Sequence, residues 1–489
     1  MRSKLKTMFS SICIVAILSV AIEGCASKDV VSEEHKTEDN IVTAMPEESK
    51  VENSMMIPQS LNDEELEKAA RNYQEYLKSI SNKLPEIWSD INVEDYNIII
   101  TNGNNNYYVS KESYKEFNSK QDNSDMETVL KMLQYAVGMY QPTTYKGKNI
   151  TAMHLMKMND KCTEEDYMRN FVTLMHESFH LHTQAEWKNI DLSKIEDKEQ
   201  SNMRASNYPL DDQPRIMRTM LYNCLYSALQ TENQKDELKY LESAKYWYDK
   251  WVEKYADEYS DIKETDLAEG TAEYFGNEIK RILQAEGYTL VTPKEFATES
   301  QSADAESYNL GDLAIQLLKK QGKFQLSDFQ DAGKTPLESL FANIKESKKE
   351  KVDIDLEKII SDNISKMNAQ ISQCFSGYIE KDLKGEMTYI GVSSKSLTGI
   401  MSEGFYYLTE IGKTGWQNAS INNLKMQVNN KSLLEYEDMI LIPVNEKEIT
   451  VKDNVISSIK ADGIILNDSA KYEKKKDAHG NIIYHLLEE

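Results

Sequence analysis

Seven histidines occur in the chain, and two of them stand four residues apart in His176-Glu177-Ser178-Phe179-His180. On a helix, side chains four residues apart leave the same face about one turn from each other. Two imidazoles in that geometry can meet one tetrahedral zinc ion. Glu177 beside the first imidazole can take a proton from a water that the ion polarises, the general-base role of this spacing. A catalytic zinc keeps three protein ligands and an open position, so a third ligand must come from elsewhere. His182 lies two residues past His180 and points to a different face, and no other histidine follows before His479. A carboxylate is therefore the better candidate. Leu267-Ala268-Glu269-Gly270-Thr271-Ala272-Glu273-Tyr274 offers Glu269 and Glu273 on one face of a predicted helix. Two acids four apart repel slightly on a bare helix, and a shared cation reverses that.

These residues need rigid elements. Thr163 followed by Glu164, Glu165 and Asp166 predicts a capped helix start, and Phe171, Val172, Leu174, Met175 and Phe179 supply its apolar side. Asn149 to Met158 just upstream reads as a strand. Ser60 with Asp63 predicts a capping box before an amphipathic helix carrying Leu66 to Ile80. Tyr96–Thr101 and Tyr107–Ser110 read as a hairpin, and a helix capped by Ser124 and Glu127 runs to about Val137. Helical patterns follow at 212–232, 238–255, 265–283, 308–320, 335–347 and 355–373. After residue 385 the pattern changes to short β-favouring runs at 389–392, 405–408, 439–444, 464–466 and 482–484. The fold class expected is α+β: a mostly helical region with a small N-terminal sheet, then a β-rich C-terminal module.

The motif resembles that of the gluzincin metallopeptidases, the broad group that includes thermolysin and aminopeptidase N. The resemblance rests on His176-Glu177-x-x-His180 followed by Glu269-Gly270-x-Ala272-x-Tyr274 and covers roughly residues 150–320. It implies one Zn²⁺ per chain, Glu269 as third ligand, and Glu273 accepting a hydrogen bond from His176. It also implies a donor to the tetrahedral oxyanion, for which Tyr308, opening Tyr308-Asn309-Leu310-Gly311 before a helix, is the candidate. The sequence departs from the group in spacing, because 88 residues separate His180 from Glu269. Arg215 and Arg218 in that insert could hold a substrate carboxylate or form structural ion pairs.

The N-terminus carries Arg2, Lys4 and Lys6, then an apolar run from Met8 to Ile22, the layout of a secretory leader and short for a spanning helix. Ile22-Glu23-Gly24-Cys25 resembles the bacterial lipobox, which implies lipid on Cys25, with Glu23 a departure from the usual small residue there. Residues 26–59 are charged and lack aromatic residues, so they read as a tether. The expected organisation is a leader at 1–24, a tether at 25–59, a catalytic region at 60–384 with a helical insert at 190–260, and the β-rich module at 385–489. The net charge is −24, and losing Arg2, Lys4, Lys6 and Glu23 with the leader takes it to −26. Such a chain favours neither nucleic acid nor an anionic membrane face. Contact with the membrane would be through the lipid alone, on the outer face of a bacterial cell. Cys162, Cys224 and Cys374 form no disulfide framework. The function expected is a zinc metallopeptidase, an enzyme acting on peptide or protein substrates. The competing reading is a non-catalytic surface lipoprotein that binds cell-wall or host ligands.

Overall fold

The computed structural model describes residues 58–487 apart from 93–94, 118–123, 135–136, 191–206, 285–289, 300–302, 348, 403 and 424. Cys25, the leader, the tether as far as residue 57 and residues 191–206 of the insert lie outside the described residues. The chain is α+β, with a five-stranded sheet near its start, a helical middle and a twelve-stranded sheet formed mostly by its C-terminal third. No helix among the described residues is long and apolar enough to cross a membrane.

Helix α1, Asp63–Ile80, opens the fold. Its capping box is made by Asn62 and Glu65 rather than by Ser60 and Asp63. Ser60 sits in the short strand Gln59–Ser60, paired with Met156–Lys157, and its hydroxyl meets His154 instead. Leu66, Ala69, Ala70, Tyr73, Leu77 and Ile80 form the buried stripe of α1. The small sheet follows, with β1 (Ile98–Thr101), β2 (Asn106–Val109), β3 (Tyr114–Glu116), β4 (Tyr140–Tyr145) and β5 (Lys148–His154) in the order β3-β2-β1-β5-β4. The hairpin of β1 and β2 is present, with the first strand starting two residues later than expected and the second shifted by one residue. The strand expected over 149–158 is broken at Leu155, between β5 and Met156–Lys157. It is an interior strand of the sheet, parallel to β1 and antiparallel to β4. Among the described residues the two edges are β3 and β4, and Pro142 of β4 lacks a backbone donor and suits an edge position. The helix before β4 is Ser124–Leu133 and stops short of Val137.

The motif helix is α2, Glu164–His182. Thr163 accepts from the Asp166 backbone N–H, and the Asp166 carboxylate accepts from the Thr163 backbone N–H. The insert supplies α3 (Asp212–Gln230) and α4 (Gln234–Lys254). Next comes α5, Ala256–Leu283, which begins nine residues before the expected start at Thr265 and carries both Glu269 and Glu273. Helix α6 covers Ala303–Lys320, so Tyr308 lies inside it and not ahead of it. The helix expected at 335–347 is only Pro336–Phe341, whereas α7 extends from Ile354 to Leu383, well past 373.

Each C-terminal β-run lies in a strand, and the long pair Lys413–Asn423 and Met426–Tyr436 joins them, with Leu397–Met401, Ile449–Lys452, Val455–Ile459 and Ala470–Lys476 also in the sheet. Asn207–Tyr208 from the insert pairs in parallel with Tyr407–Leu408, so the insert contributes a strand to the C-terminal sheet. One apolar core runs from α1 through α2, α5 and α6 to α7, and takes in Leu408, Leu434, Leu441 and Ile483 from that sheet. Cys162, Cys224 and Cys374 are free thiols.

Candidate metal centre

Helix α2 buries Tyr167, Phe171, Leu174, Met175 and Phe179, and Phe179 stacks on Phe275 of α5 at 4.8 Å between ring centroids. That packing fixes the rotation of both helices and turns His176 and His180 toward Glu269. His176 Nε2 lies 3.1 Å from Glu269 Oε2 and 3.1 Å from His180 Nε2, and His180 Nε2 lies 3.4 Å from Glu269 Oε2.

A tetrahedral zinc with bonds near 2.0–2.1 Å places its ligand atoms about 3.3 Å apart. The three atoms here match that spacing. Two imidazole nitrogens facing each other at 3.1 Å need a proton or a cation between them, because two lone pairs repel. The residues present fit zinc in type as well as distance: two nitrogens and one carboxylate oxygen.

The electrostatics point the same way. Burial pulls the His176 imidazole down, but Glu269, Glu273 and Glu177 reverse this and hold it well above its ordinary range. For His180, burial is likewise outweighed by Glu269, and its imidazole is raised. Burial pushes the Glu269 carboxyl up, yet the two imidazoles hold it far below the usual carboxylate range. Acids thus outnumber imidazoles, and the cluster favours added positive charge.

Glu177 and Tyr308 flank the three atoms. Burial raises the Glu177 carboxyl against the pull of both imidazoles, and its carboxylate accepts a hydrogen bond from the Tyr140 hydroxyl at the start of β4. The Tyr308 ring stands edge-on to His176 at 5.8 Å between centroids. Burial, with Glu269 and Glu177 close by, raises its phenol well above the ordinary value, so the hydroxyl keeps its proton to donate. Glu273 Oε2 is 3.6 Å from His176 Nδ1. Its other oxygen accepts from Asn277, which also donates to the buried Asp312 of α6.

Gly270 and Gly311 set the distance between α5 and α6. A Cβ on Gly311 would stand 2.2 Å from the Gly270 Cα, and one on Gly270 would stand 2.8 Å from the Gly311 Cα. Only a glycine pair permits this approach, and it brings Tyr308, three residues before Gly311, up to the imidazoles. Gly311→Ala gains about 1 kcal/mol of helix propensity but collides with backbone that cannot rotate aside. The expected net result is destabilisation of about 1–3 kcal/mol, read by denaturant unfolding, with weaker zinc binding. Unchanged stability would mean that the helices are not in contact here.

The remaining candidates fall outside the cluster. His182 packs its ring on Tyr96, and burial lowers its imidazole to about 4. Arg215 and Arg218 do not face a substrate. They are buried, with Arg215 paired to Glu306 at 2.8 Å and to Glu258, and Arg218 to Glu306 at 2.6 Å and Asp266 at 3.0 Å. Ser307 donates to Asp266 at 2.5 Å, so this ion network anchors the turn of α6 that carries Tyr308. Among the described residues a second group, Asp382, Asp477 and His479, also gathers ligand-type atoms. There the Lys413 ammonium already supplies the cation, 2.6 Å from Asp382 and 2.7 Å from Asp477.

Sequence reasoning missed Tyr140, Gln184, Asn277 and Asp312. Gln184 had a signal, since it continues the four-residue spacing from His176 through His180. Tyr140 had none, because it reaches Glu177 through the pairing of β4 with β5. Comparison of the chain with protein families, curated proteins and solved structures gave no match, and the functional reading rests on this geometry.

Proposed function

We propose that the chain is a zinc-dependent peptidase working outside the cell, anchored by lipid on Cys25. The observation that carries this reading is the set of three ligand atoms, His176 Nε2, His180 Nε2 and Glu269 Oε2, at mutual distances of 3.1, 3.1 and 3.4 Å. A zinc ion held by them would supply a Lewis acid that polarises a peptide carbonyl and acidifies a water.

The chain's own groups account for the remaining work. Glu177 takes a proton from water as the water oxygen bonds to the carbonyl carbon. It then gives that proton to the amine nitrogen as the C–N bond breaks. The Tyr308 hydroxyl donates to the oxygen on which negative charge develops. Glu273 faces the Nδ1 side of His176 at 3.6 Å, an ion-pair distance longer than a hydrogen bond, and favours the proton there, which leaves Nε2 for the ion. Among the described residues β4 ends the sheet, and this supports a peptide substrate in particular: an extended chain can add to a sheet edge through main-chain hydrogen bonds, and β4 begins at the residue that touches Glu177.

Removal and return of the ion tests the reading. Cleavage of an unfolded protein such as casein is expected to fall at least about 100-fold on chelation, as expected when several kcal/mol of charge stabilisation is lost. One equivalent of zinc per chain should restore it. A zinc-loaded protein that cleaves neither casein nor a random peptide library contradicts the reading and favours an anchored binding protein.

A further inference from the structure

We propose that Gln184 is a positioning residue that sets the tautomer of His180 and ties the motif helix to the helix carrying the third ligand. The proposal rests on the assignment of His176, His180 and Glu269 as zinc ligands. Gln184 has no exposed surface and lies one turn past His180, in the short 3-10 turn that closes α2. Its amide nitrogen donates to the Ala268 carbonyl oxygen at 2.7 Å and to Thr271 Oγ1 at 2.7 Å. A backbone carbonyl only accepts, so the amide orientation is fixed: the NH₂ faces α5 and the oxygen faces His180. The Thr271 hydroxyl donates its own proton to the Leu267 carbonyl at 2.8 Å and presents a lone pair to Gln184.

The Gln184 oxygen then accepts from His180 Nδ1 at 2.5 Å. With the proton on Nδ1, the Nε2 lone pair points at His176 and Glu269, where an ion would sit. Without that acceptor, a neutral imidazole can carry its proton on Nε2 and must surrender it before binding. The same amide grips the carbonyl of Ala268, the residue directly before Glu269. One side chain therefore fixes the ring angle of one ligand and, through a separate contact, fastens the motif helix to α5. The recognition pattern in this chain extends to His176-Glu177-x-x-His180-x-x-x-Gln184.

Three variants separate positioning from plain packing: Gln184→Met, Gln184→Glu and Thr271→Val. Zinc affinity is measured by competition with a chromophoric chelator, and thermal unfolding is followed on the ion-free protein. Gln184→Met keeps the length and loses the acceptor, so zinc affinity is expected to fall about 10–100-fold. Gln184→Glu keeps an acceptor for Nδ1–H and should bind zinc within about threefold of wild type, the coupling to Nδ1 being what sets affinity. It should nevertheless melt at a lower temperature, because its carboxylate meets the Ala268 carbonyl. Thr271→Val should lower the melting temperature and leave affinity unchanged. Affinity that tracks melting temperature across all three variants overturns the proposal, as does wild-type affinity in Gln184→Met. A wild-type chain that binds no zinc removes the ligand assignment itself, a failure distinct from loss of the Gln184 effect alone.

Discussion

Glu177→Gln is expected to cut peptide hydrolysis by about 10²–10⁴-fold, the usual contribution of a positioned general base, while zinc content stays at the wild-type level. Glutamine has the shape of glutamate and can still meet the Tyr140 hydroxyl, but it cannot take a proton from water. The three atoms that converge at ligand spacing belong to His176, His180 and Glu269, and Glu177 is not one of them. The substitution therefore separates binding of the ion from proton transfer. Activity within tenfold of wild type would move the base role elsewhere, and loss of zinc would make Glu177 a ligand. Either result breaks the division of labour proposed for the four side chains.

Lys413→Met is expected to destabilise the protein by about 3–5 kcal/mol at neutral pH, the cost of removing one partner from a buried ion cluster. Lys413 is 1% exposed in its side chain, as is Asp477, and Asp382 is fully buried. Asp382 lies in the last turn of α7, Lys413 begins the strand Lys413–Asn423 and Asp477 precedes the last strand, so the cluster joins helix to sheet. Tyr389 and His479 donate to the same Asp382 carboxylate. Methionine would leave two carboxylates facing each other in the core.

The pH dependence gives the sign. Burial pushes the Asp477 carboxyl up, but Lys413 and Asn481 more than offset this and hold it below the ordinary range. Its stabilising contribution is therefore full above the ordinary carboxylate value of about 4 and is lost as pH falls through the lowered folded value. In the variant, the carboxylates lack their cation and can be relieved by protonation. The gap between wild type and variant, measured by urea unfolding, should be widest at pH 7 and narrow toward pH 4. A gap that does not change with pH would show that the loss comes from packing and not from charge.

These sites differ in how far they could be read from sequence. The motif helix was legible because its signals are local: Thr163 with Asp166 at the cap, apolar residues at helical spacing, and two histidines four apart. Glu269 and Glu273 were legible as a pair on one face, and α5 places both beside His176. The Gly270–Gly311 contact was not, because a glycine in a helical pattern does not say which other helix it meets. The run at 149–158 was legible as a strand, but its apolar character did not say where in the sheet it lies. Burial inside the sheet is what that composition reflects, and the more polar β4 takes an edge. Ser60 resembled a cap by type and spacing, but the helix starts two residues later, where Asn62 and Glu65 each accept from the other's backbone N–H. The strands at 413–436 were missed because Asn, Lys and Gln interrupt their alternation, and pairing with neighbouring strands stabilises them instead.

The central claim is that one divalent ion is held by two helices. The most direct test is a crystal of the zinc-loaded protein with data on both sides of the zinc absorption edge. One anomalous peak is expected about 2.0–2.2 Å from His176 Nε2, His180 Nε2 and a Glu269 oxygen. No peak there, or a peak confined to Asp382, Asp477 and His479, would contradict the account.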